Sequence, residues 1–219
     1  MDRWATFDCY GTLIDWNGGI RAALAGIWLE ADPDGLLTAF HQVEPELEAD
    51  GTPTYRQVLT DAVPAIAAAE GLAVPEGAGH ALADSLPSWP PFPEVAAALT
   101  ELRRRGWRLA ILSNTDPDYL EASIARIGVE VDERVVASDI GSYKPGFAHW
   151  ESFFRRTGAD RARHVHVAAS LFHDVAPAAA LGLPCVWIDR LGETSDLPRA
   201  GELTDLTGLP DCLDRLVPG

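Results

Sequence analysis

Cysteine is scarce in this chain, and the three that occur, Cys9, Cys185 and Cys212, are odd in number and far apart. Such a set indicates neither a disulfide framework nor a zinc knuckle, so a reducing compartment is expected. No apolar run approaches the roughly 18 residues that a membrane span requires. The chain also enters a predicted strand directly after Asp2 and Arg3, without an export signal. We therefore expect a cytoplasmic protein with no membrane partner.

Basic residues are also few. The 219 residues include 17 Lys plus Arg against 33 Asp plus Glu, which gives a formal net charge of −16 and a pI near 4.6. A nucleic acid backbone would repel such a chain at long range, so we expect no nucleic-acid partner. The hydrophobic content of 47% is sufficient for a full core, which predicts one globular domain with an insertion.

The sequence pattern divides the chain into two parts. From Asn17 to about Ser88 it is rich in Ala and Leu and broken by prolines, which is typical of a run of helices. That run ends at PSWPPFPEV, residues 87–95, a proline cluster that cannot continue a helix and suits a stiff hinge. We predict an α/β core formed by residues 1–14 and 90–219, with a helical cap, residues 15–89, inserted into it.

Outside that segment, short apolar runs alternate with helical stretches, as expected for buried parallel strands. Asp116 with Pro117 is expected to cap the helix that follows the second apolar run. This order predicts an α/β fold, a doubly wound parallel sheet with right-handed crossovers. The predicted strands are residues 4–7, 107–114, 134–139, 164–170 and 184–190.

Polar side chains follow the predicted strands at the points where they end. Parallel sheets bind ligands at the carboxyl ends of their strands, so these side chains should converge on one edge. The residues in question are Asp8 after the first strand, Ser113 and Asn114 after the second, Ser138, Asp139 and Lys144 after the third, and Ser170 to Asp174 after the fourth.

Four short motifs occur in a familiar order: DCYGT, SNT, the lysine of SYKP, and ASLFHD. With these motifs the chain resembles the haloacid dehalogenase superfamily, and within it the L-2-haloacid dehalogenase-like branch. The resemblance extends over nearly the whole chain, including a helical cap directly after the first motif. It implies a Rossmann-like core and an enzyme that hydrolyses its substrate through an aspartate nucleophile.

The resemblance assigns a role to each motif. Asp8 matches the aspartate that attacks the substrate and forms a covalent ester, which water then hydrolyses. Lys144 would keep Asp8 ionised and balance a carboxylate on the substrate. Ser113 and Asn114 would cradle that carboxylate, and Asp174 would act on the hydrolytic water. Without the other motifs, Asp8 could equally cap the turn after its strand.

Two further residues have two interpretations each. Thr12 either hydrogen-bonds Asp8 or only stabilises the turn. His173, with Ser170, could belong to the water site, or it could be a surface histidine at a helix start.

Tyr10 distinguishes between branches of the superfamily. Phosphatases of this fold carry a second aspartate two residues after the nucleophile, because an alkoxide leaving group needs a proton. A halide leaves as a stable anion and needs none, so Tyr10 is compatible with carbon–halogen cleavage and could contact the substrate. Ser170 stands where a phosphatase would offer an acid for magnesium. We therefore expect no metal and no other cofactor.

The chain also departs from the dehalogenase pattern. In that branch an arginine early in the cap receives the halide, and the best-matching position here is His41. Ala169 and Leu171 stand where the water-site loop would carry polar groups, and Trp150 replaces a tyrosine. The substrate could therefore be another small 2-substituted carboxylate.

Three functional classes follow from these observations. The first is a 2-haloacid dehalogenase-like hydrolase acting on a small carboxylate, the second a phosphomonoesterase, and the third a degenerate binding module. A homodimer is a further possibility that no residue pattern specifies.

Overall fold

The computed structural model describes residues 2–49 and 53–219, and its centre is a parallel sheet of six strands. The sheet order is β3-β2-β1-β4-β5-β6, so the amino-terminal strand lies inside the sheet, between strands that come much later in the chain. This confirms the predicted α/β fold with a parallel sheet. The strands are β1 Arg3–Phe7, β2 Trp107–Ser113, β3 Glu133–Val136, β4 His164–Ala168, β5 Cys185–Ile188 and β6 Gly201–Leu203.

The structure differs from the predicted strands mainly in two ways: one strand is shorter than predicted, and one strand is additional. The third strand stops at Val136, and the next four residues form the short helix α7, Ala137–Ile140. The edge strand β6 was not predicted, because three partly exposed residues are too short to show a strand period.

Helices cover the sheet because each has one apolar face. In α5, Val95–Arg104, for example, the buried residues Val95, Ala98, Leu99 and Leu102 recur at helical spacing. The other helices outside the insertion are α6 Pro117–Ile127, α8 Ala148–Thr157, α9 Ala176–Ala180 and α10 Leu209–Leu216.

Four helices lie between β1 and α5, and we call residues 16–88 the helical insert. Capping side chains explain where its longer helices begin: Asp32 accepts hydrogen bonds from the backbone of Asp34 and Gly35, and Thr54 accepts one from Gln57. Within the described ranges, no helix combines the length and apolar character needed to cross a bilayer. The insert helices are α1 Trp16–Ile27, α2 Pro33–Glu48, α3 Tyr55–Glu70 and α4 Ala81–Ser85.

The two connections to the insert run side by side. Ile14 and Pro91 form an antiparallel bridge, and hydrogen bonds join Phe92 N to Leu13 O at 3.0 Å and Asp15 N to Pro90 O at 2.9 Å. The proline cluster is therefore fixed against the chain that leaves β1. The division into a core of residues 1–14 and 90–219 and a cap of residues 15–89 stays a prediction.

Asp116 does not cap its own helix in the way the sequence predicts. It occupies the N-cap position of α6 without a side-chain hydrogen bond there. Its carboxylate instead accepts hydrogen bonds from the backbone N–H groups of Tyr55, at 3.2 Å, and Arg56, at 2.9 Å. These are first-turn amides of α3, whose own helix offers them no acceptor. Asp116 thus caps a helix of the insert from across the cleft.

Candidate active site

Asp8 lies immediately after β1, at the carboxyl end of the sheet, and is 7% exposed. Its backbone N–H donates to Val167 O at 3.0 Å. The Thr12 hydroxyl donates to Asp8 Oδ2 at 2.6 Å and accepts from the backbone N–H of Ala169 at 2.9 Å. Thr12 therefore both orients the carboxylate and joins the turn after β1 to the loop after β4.

Lys144 lies between two carboxylates. Its ammonium group donates to Asp8 Oδ1 at 2.8 Å, to Asp174 Oδ1 at 2.7 Å and to the backbone carbonyl of Leu112 at 3.0 Å, so all three of its protons are used. Burial alone would lower the pKa of Lys144, but Asp174 and then Asp8 outweigh burial, and the pKa lies above its ordinary value. Lys144 is also the only lysine in the chain, a sequence signal that would have singled it out.

Asn114 fixes the loop that carries Lys144. Its side-chain amide donates to Lys144 O at 3.0 Å, and its Oδ1 accepts from Lys144 N at 2.7 Å. Both polar atoms of Asn114 thus hold the lysine backbone, although the residue also lines the cavity described below. Its expected contact with a substrate stays a prediction.

Asp174 is fully buried, and its two oxygens have different surroundings. Oδ1 accepts from Lys144 and lies 3.0 Å from His166 Nε2, whereas Oδ2 has no partner among residues 2–49 and 53–219. Burial would raise the pKa of Asp174, but Lys144 and His166 lower it below its ordinary value. One oxygen is thus fixed by the protein, and the other is free to bind a ligand or water.

A buried chain of hydrogen bonds supports Asp174 from beneath. The Thr6 hydroxyl lies 2.8 Å from His166 Nδ1 and 2.8 Å from His164 Nε2. These contacts are compatible when His166 donates to Asp174, Thr6 donates to His166, and His164 donates to Thr6, whereas His164 Nδ1 has no partner in the described part of the chain. Burial lowers the pKa of His164 to about 3, so this ring is neutral. Sequence analysis treats HVHVAAS only as a buried strand, although histidines two residues apart point to the same face.

A cavity of about 650 Å³ opens above these residues, between the sheet and the insert. All the predicted site residues line it except Thr12, which is buried behind Asp8. Ser113 is 1% exposed, and its hydroxyl has no hydrogen-bond partner in the described part of the chain. The residues of the cavity wall on the sheet side are Asp8, Ser113, Asn114, Lys144, Ser170, His173 and Asp174.

Tyr10 and His41 lie on the wall nearer the insert. The hydroxyl of Tyr10 is 3.1 Å from Ser123 Oγ, its ring stacks on Tyr55, and burial raises its pKa. His41 stacks on Trp16 with ring centroids 5.1 Å apart and lies 3.0 Å from Asn17 Oδ1 through Nε2. Burial lowers the pKa of His41. An imidazole of lowered pKa is a weaker anion partner than the arginine implied by the resemblance.

Ser170 and His173 interact mainly with each other. Ser170 Oγ accepts from the backbone N–H of His173 at 3.0 Å and lies 3.1 Å from the Nδ1 atom of the same residue. Burial lowers the pKa of His173. Ser170 therefore caps the helical turn of residues 171–175. Both residues line the cavity, and their expected role in a water site stays a prediction.

Glu44 and Glu48 are cavity residues that sequence analysis missed. They lie one turn apart on α2, so both reach the same side of the helix. Tyr55 donates its hydroxyl hydrogen to Glu44 Oε1 at 3.1 Å. Burial raises the pKa of Glu44 well above its ordinary value, and it raises that of Glu48 to about 7 although Lys144 acts in the opposite direction. Their i,i+4 spacing in EPELE was the available signal.

The carboxylates of the site do not form a metal centre. Across residues 2–49 and 53–219, no three His, Cys, Asp or Glu side chains are placed together to hold an ion. Asp8 and Asp174 converge on the sheet side, and the Lys144 ammonium group lies between them. The magnesium chemistry of the phosphatases therefore does not fit these residues.

Two curated proteins are similar to this chain in sequence. The (S)-2-haloacid dehalogenase of Pseudomonas sp. strain YL is 31% identical over 140 residues, which are 63% of this chain and 60% of that enzyme. Haloacetate dehalogenase H-2 of Moraxella sp. strain B is 34% identical over 134 residues, which are 60% and 58% of the two chains. Each match spans less than two thirds of the relative's length.

A solved structure and a family model extend the likeness along the chain. The L-2-haloacid dehalogenase of Xanthobacter autotrophicus superposes with a TM-score of 0.83 at 21% identity, covering 99% of this chain and 100% of that one. This identity shows a shared fold alone. The family model of haloacid dehalogenase-like hydrolases matches residues 3–182. Since this match covers most of the chain, the protein belongs to the haloacid dehalogenase-like hydrolases.

Proposed function

We propose that this hydrolase displaces a leaving group from small 2-substituted carboxylic acids through an ester on Asp8, with 2-haloacids as the type substrates. The observation that carries the proposal is the position of Lys144, whose ammonium group bridges Asp8 and Asp174 at 2.8 and 2.7 Å. This arrangement places a fixed positive charge 2.8 Å from a buried, oriented carboxylate beside the cavity. An ionised, oriented carboxylate is the form that acts as a nucleophile.

In the first step, an oxygen of Asp8 attacks the substrate carbon that bears the leaving group. A carbon–oxygen bond forms as the carbon–halogen bond breaks, and the halide departs with the electron pair. The unpartnered hydroxyl of Ser113 is placed to donate a hydrogen bond to the substrate carboxylate. Lys144 adds a fixed positive charge in a site where little water screens it.

In the second step, water attacks the carboxyl carbon of the Asp8 ester. Asp174 Oδ2, which is buried and unpartnered, accepts a hydrogen bond or a proton from that water. The ester carbon–oxygen bond breaks on the side of the Asp8 carboxyl carbon, so the product leaves as a 2-hydroxy acid. Asp8 keeps one oxygen that came from the water.

The two alternative functions have less support. A phosphatase would need an acid near the leaving group, but the residue there is Tyr10, whose hydroxyl lies beside Ser123 and whose pKa is raised. A binding module would have no use for a buried lysine held between two carboxylates, because assembling such a group is costly.

Turnover in heavy-oxygen water tests the proposal. After many turnovers of 2-chloropropionate, mass spectrometry should find the label in the tryptic peptide of residues 4–21. That peptide also contains Asp15, so fragment ions must place the label on Asp8. The Asp8→Asn variant should release no chloride. Label found in the product but never in the peptide would mean that water attacks the substrate directly, which would contradict the proposal.

A further inference from the structure

The wall of the cavity formed by the insert carries acidic side chains without basic partners. Glu44 and Glu48 both line the cavity, and neither forms an ion pair with a basic side chain among the described residues. Hydrogen bonds also fix the position of Glu44. Trp16 Nε1–H donates to the Tyr55 hydroxyl at 2.9 Å, and that hydroxyl donates to Glu44 Oε1 at 3.1 Å. These hydrogen bonds orient the Glu44 carboxyl group at the cavity wall.

The basic groups around the cavity are already engaged elsewhere. Arg21 pairs with Asp34 at 2.7 Å, and Arg190 pairs with Glu94 at 2.6 Å. Lys144 has no proton left after its contacts with Asp8, Asp174 and the Leu112 carbonyl. Lys144 therefore acts on Glu48 only through space, and no basic side chain among the described residues forms an ion pair with Glu44 or Glu48.

On the opposite wall, two buried polar atoms lack hydrogen-bond partners, which is a second, independent indication that the cavity binds a polar ligand. The Ser113 hydroxyl and Asp174 Oδ2 are both buried, and neither has a hydrogen-bond partner in the described ranges. Both residues line the same cavity as the two glutamates. A ligand whose carboxylate binds Ser113 on the sheet side therefore meets Glu44 and Glu48 with its other end.

We propose that Glu44 and Glu48 form an ammonium-binding subsite, and that the substrate is a 2-substituted carboxylate with a positively charged amino group at its far end. This inference rests on the proposed function, because that function places the carboxylate at Ser113. An anionic or apolar far end would leave two desolvated carboxyl groups without a partner, which is unfavourable. An ammonium group supplies three donors and neutralises the charge.

Equilibrium binding tests the subsite without any turnover. Calorimetry should compare ω-amino acids of four to six carbons with straight-chain acids in which a methyl group replaces the ammonium group, beginning with 4-aminobutanoate against pentanoate. We expect the amino acid of the best length to bind at least tenfold more tightly. The double variant Glu44→Gln, Glu48→Gln should remove that preference. Glu46→Gln, an exposed change on the same helix, should retain it.

The pH dependence of binding provides a second measurement. Since the ionised glutamates bind the cation, affinity for the amino acid should rise between pH 6 and pH 8, around the Glu48 pKa of about 7. Affinity for the methyl-ended acid should not rise. Equal affinity for the two ligands at pH 8, or a preference for the amino acid that survives the double variant, would overturn the inference.

Chloride release separates this inference from the proposed function. The 2-chloro derivatives of the same two series should differ at least tenfold in kcat/KM in favour of the amino compounds. Turnover of both series at equal kcat/KM would overturn the ammonium subsite and leave the Asp8 mechanism standing. Tight, glutamate-dependent binding of amino acids with no label on Asp8 would support the subsite and overturn the mechanism.

Discussion

The two walls of the cavity differ in whether their charged side chains form ion pairs. On the sheet side, Asp8 and Asp174 share Lys144 at 2.8 and 2.7 Å, so every charge has a partner of opposite sign. On the insert side, Glu44 and Glu48 form no ion pair with any described residue, and burial raises their pKa values. Paired charges hold the groups of the sheet side in a fixed arrangement, which suits catalysis. Unpaired carboxyl groups on the insert side are available to bind a ligand and so to select it. The predictions below alter one wall at a time.

The largest effect should come from removing the shared cation of the sheet side. Lys144→Met leaves two buried carboxylates without a counter-charge, so we expect chloride release to fall at least about 1,000-fold. Breaking such a buried pair typically destabilises a protein by about 3–5 kcal/mol, which urea unfolding would measure. Arg134→Met, which removes an exposed partner of Glu121, should change stability by less than about 1 kcal/mol. A similarly small loss in the lysine variant would contradict the buried pairing.

An intermediate effect should follow from changing the support beneath Asp174. His166→Leu removes a hydrogen bond to a charged group, worth about 1.5–3 kcal/mol, or roughly 10- to 100-fold in the step that Asp174 serves. We expect ester hydrolysis to slow more than ester formation, so intact-protein mass spectrometry should find the substrate ester of Asp8 accumulating, as a mass increase equal to the bound acid. His166→Gln keeps a donor near the Nε2 position and should restore part of the rate. Equal slowing of both steps would indicate only a general loss of structure.

The smallest effect should be a change in the pH dependence of stability when Glu48, on the insert side, is replaced. The pKa of Glu48 is about 7 against an ordinary value of 4.5, so between these values the folded state holds more protons than the unfolded state. Stability therefore falls as pH rises through this window. Glu48→Gln should remove that loss and raise the free energy of unfolding by about 1–3 kcal/mol at pH 8, with little change at pH 4.

Glu46→Gln, on the exposed side of α2, serves as the control. It should show no such pH dependence. If Glu48→Gln raised the free energy of unfolding equally at pH 4 and pH 8, the effect would come from helix propensity and not from the charge of Glu48.

Sequence reasoning located the sheet-side wall because its residues follow strands directly. Asp8 and Ser113 stand at strand ends and Asp174 lies in the helical turn that follows β4, and parallel pairing brings such ends together whatever the intervening chain does. Sequence motifs placed Lys144 in the same set. Strand ends and motifs can both be recognised from sequence, because they depend on short segments of the chain and on a common sheet topology.

The residues that sequence reasoning missed depend on contacts between distant segments. Glu44 and Glu48 matter only because of the direction in which α2 faces the sheet. His166 meets Thr6 only through the register of β4 against β1, where Thr6 pairs with His166. Asp116 was assigned to its own helix because local capping is the commoner pattern, and only the packing of α3 shows the other partner.

Asp116 has a consequence for the motion of the insert. It stands two residues after Asn114, which holds the backbone of Lys144, while Asp116 itself holds the first turn of α3. The loop of residues 114–116 therefore holds the Lys144 backbone on one side and the insert on the other. Any outward movement of the insert would have to break the two hydrogen bonds of Asp116 or displace this loop. In the second case the positive charge beside Asp8 would shift together with the insert.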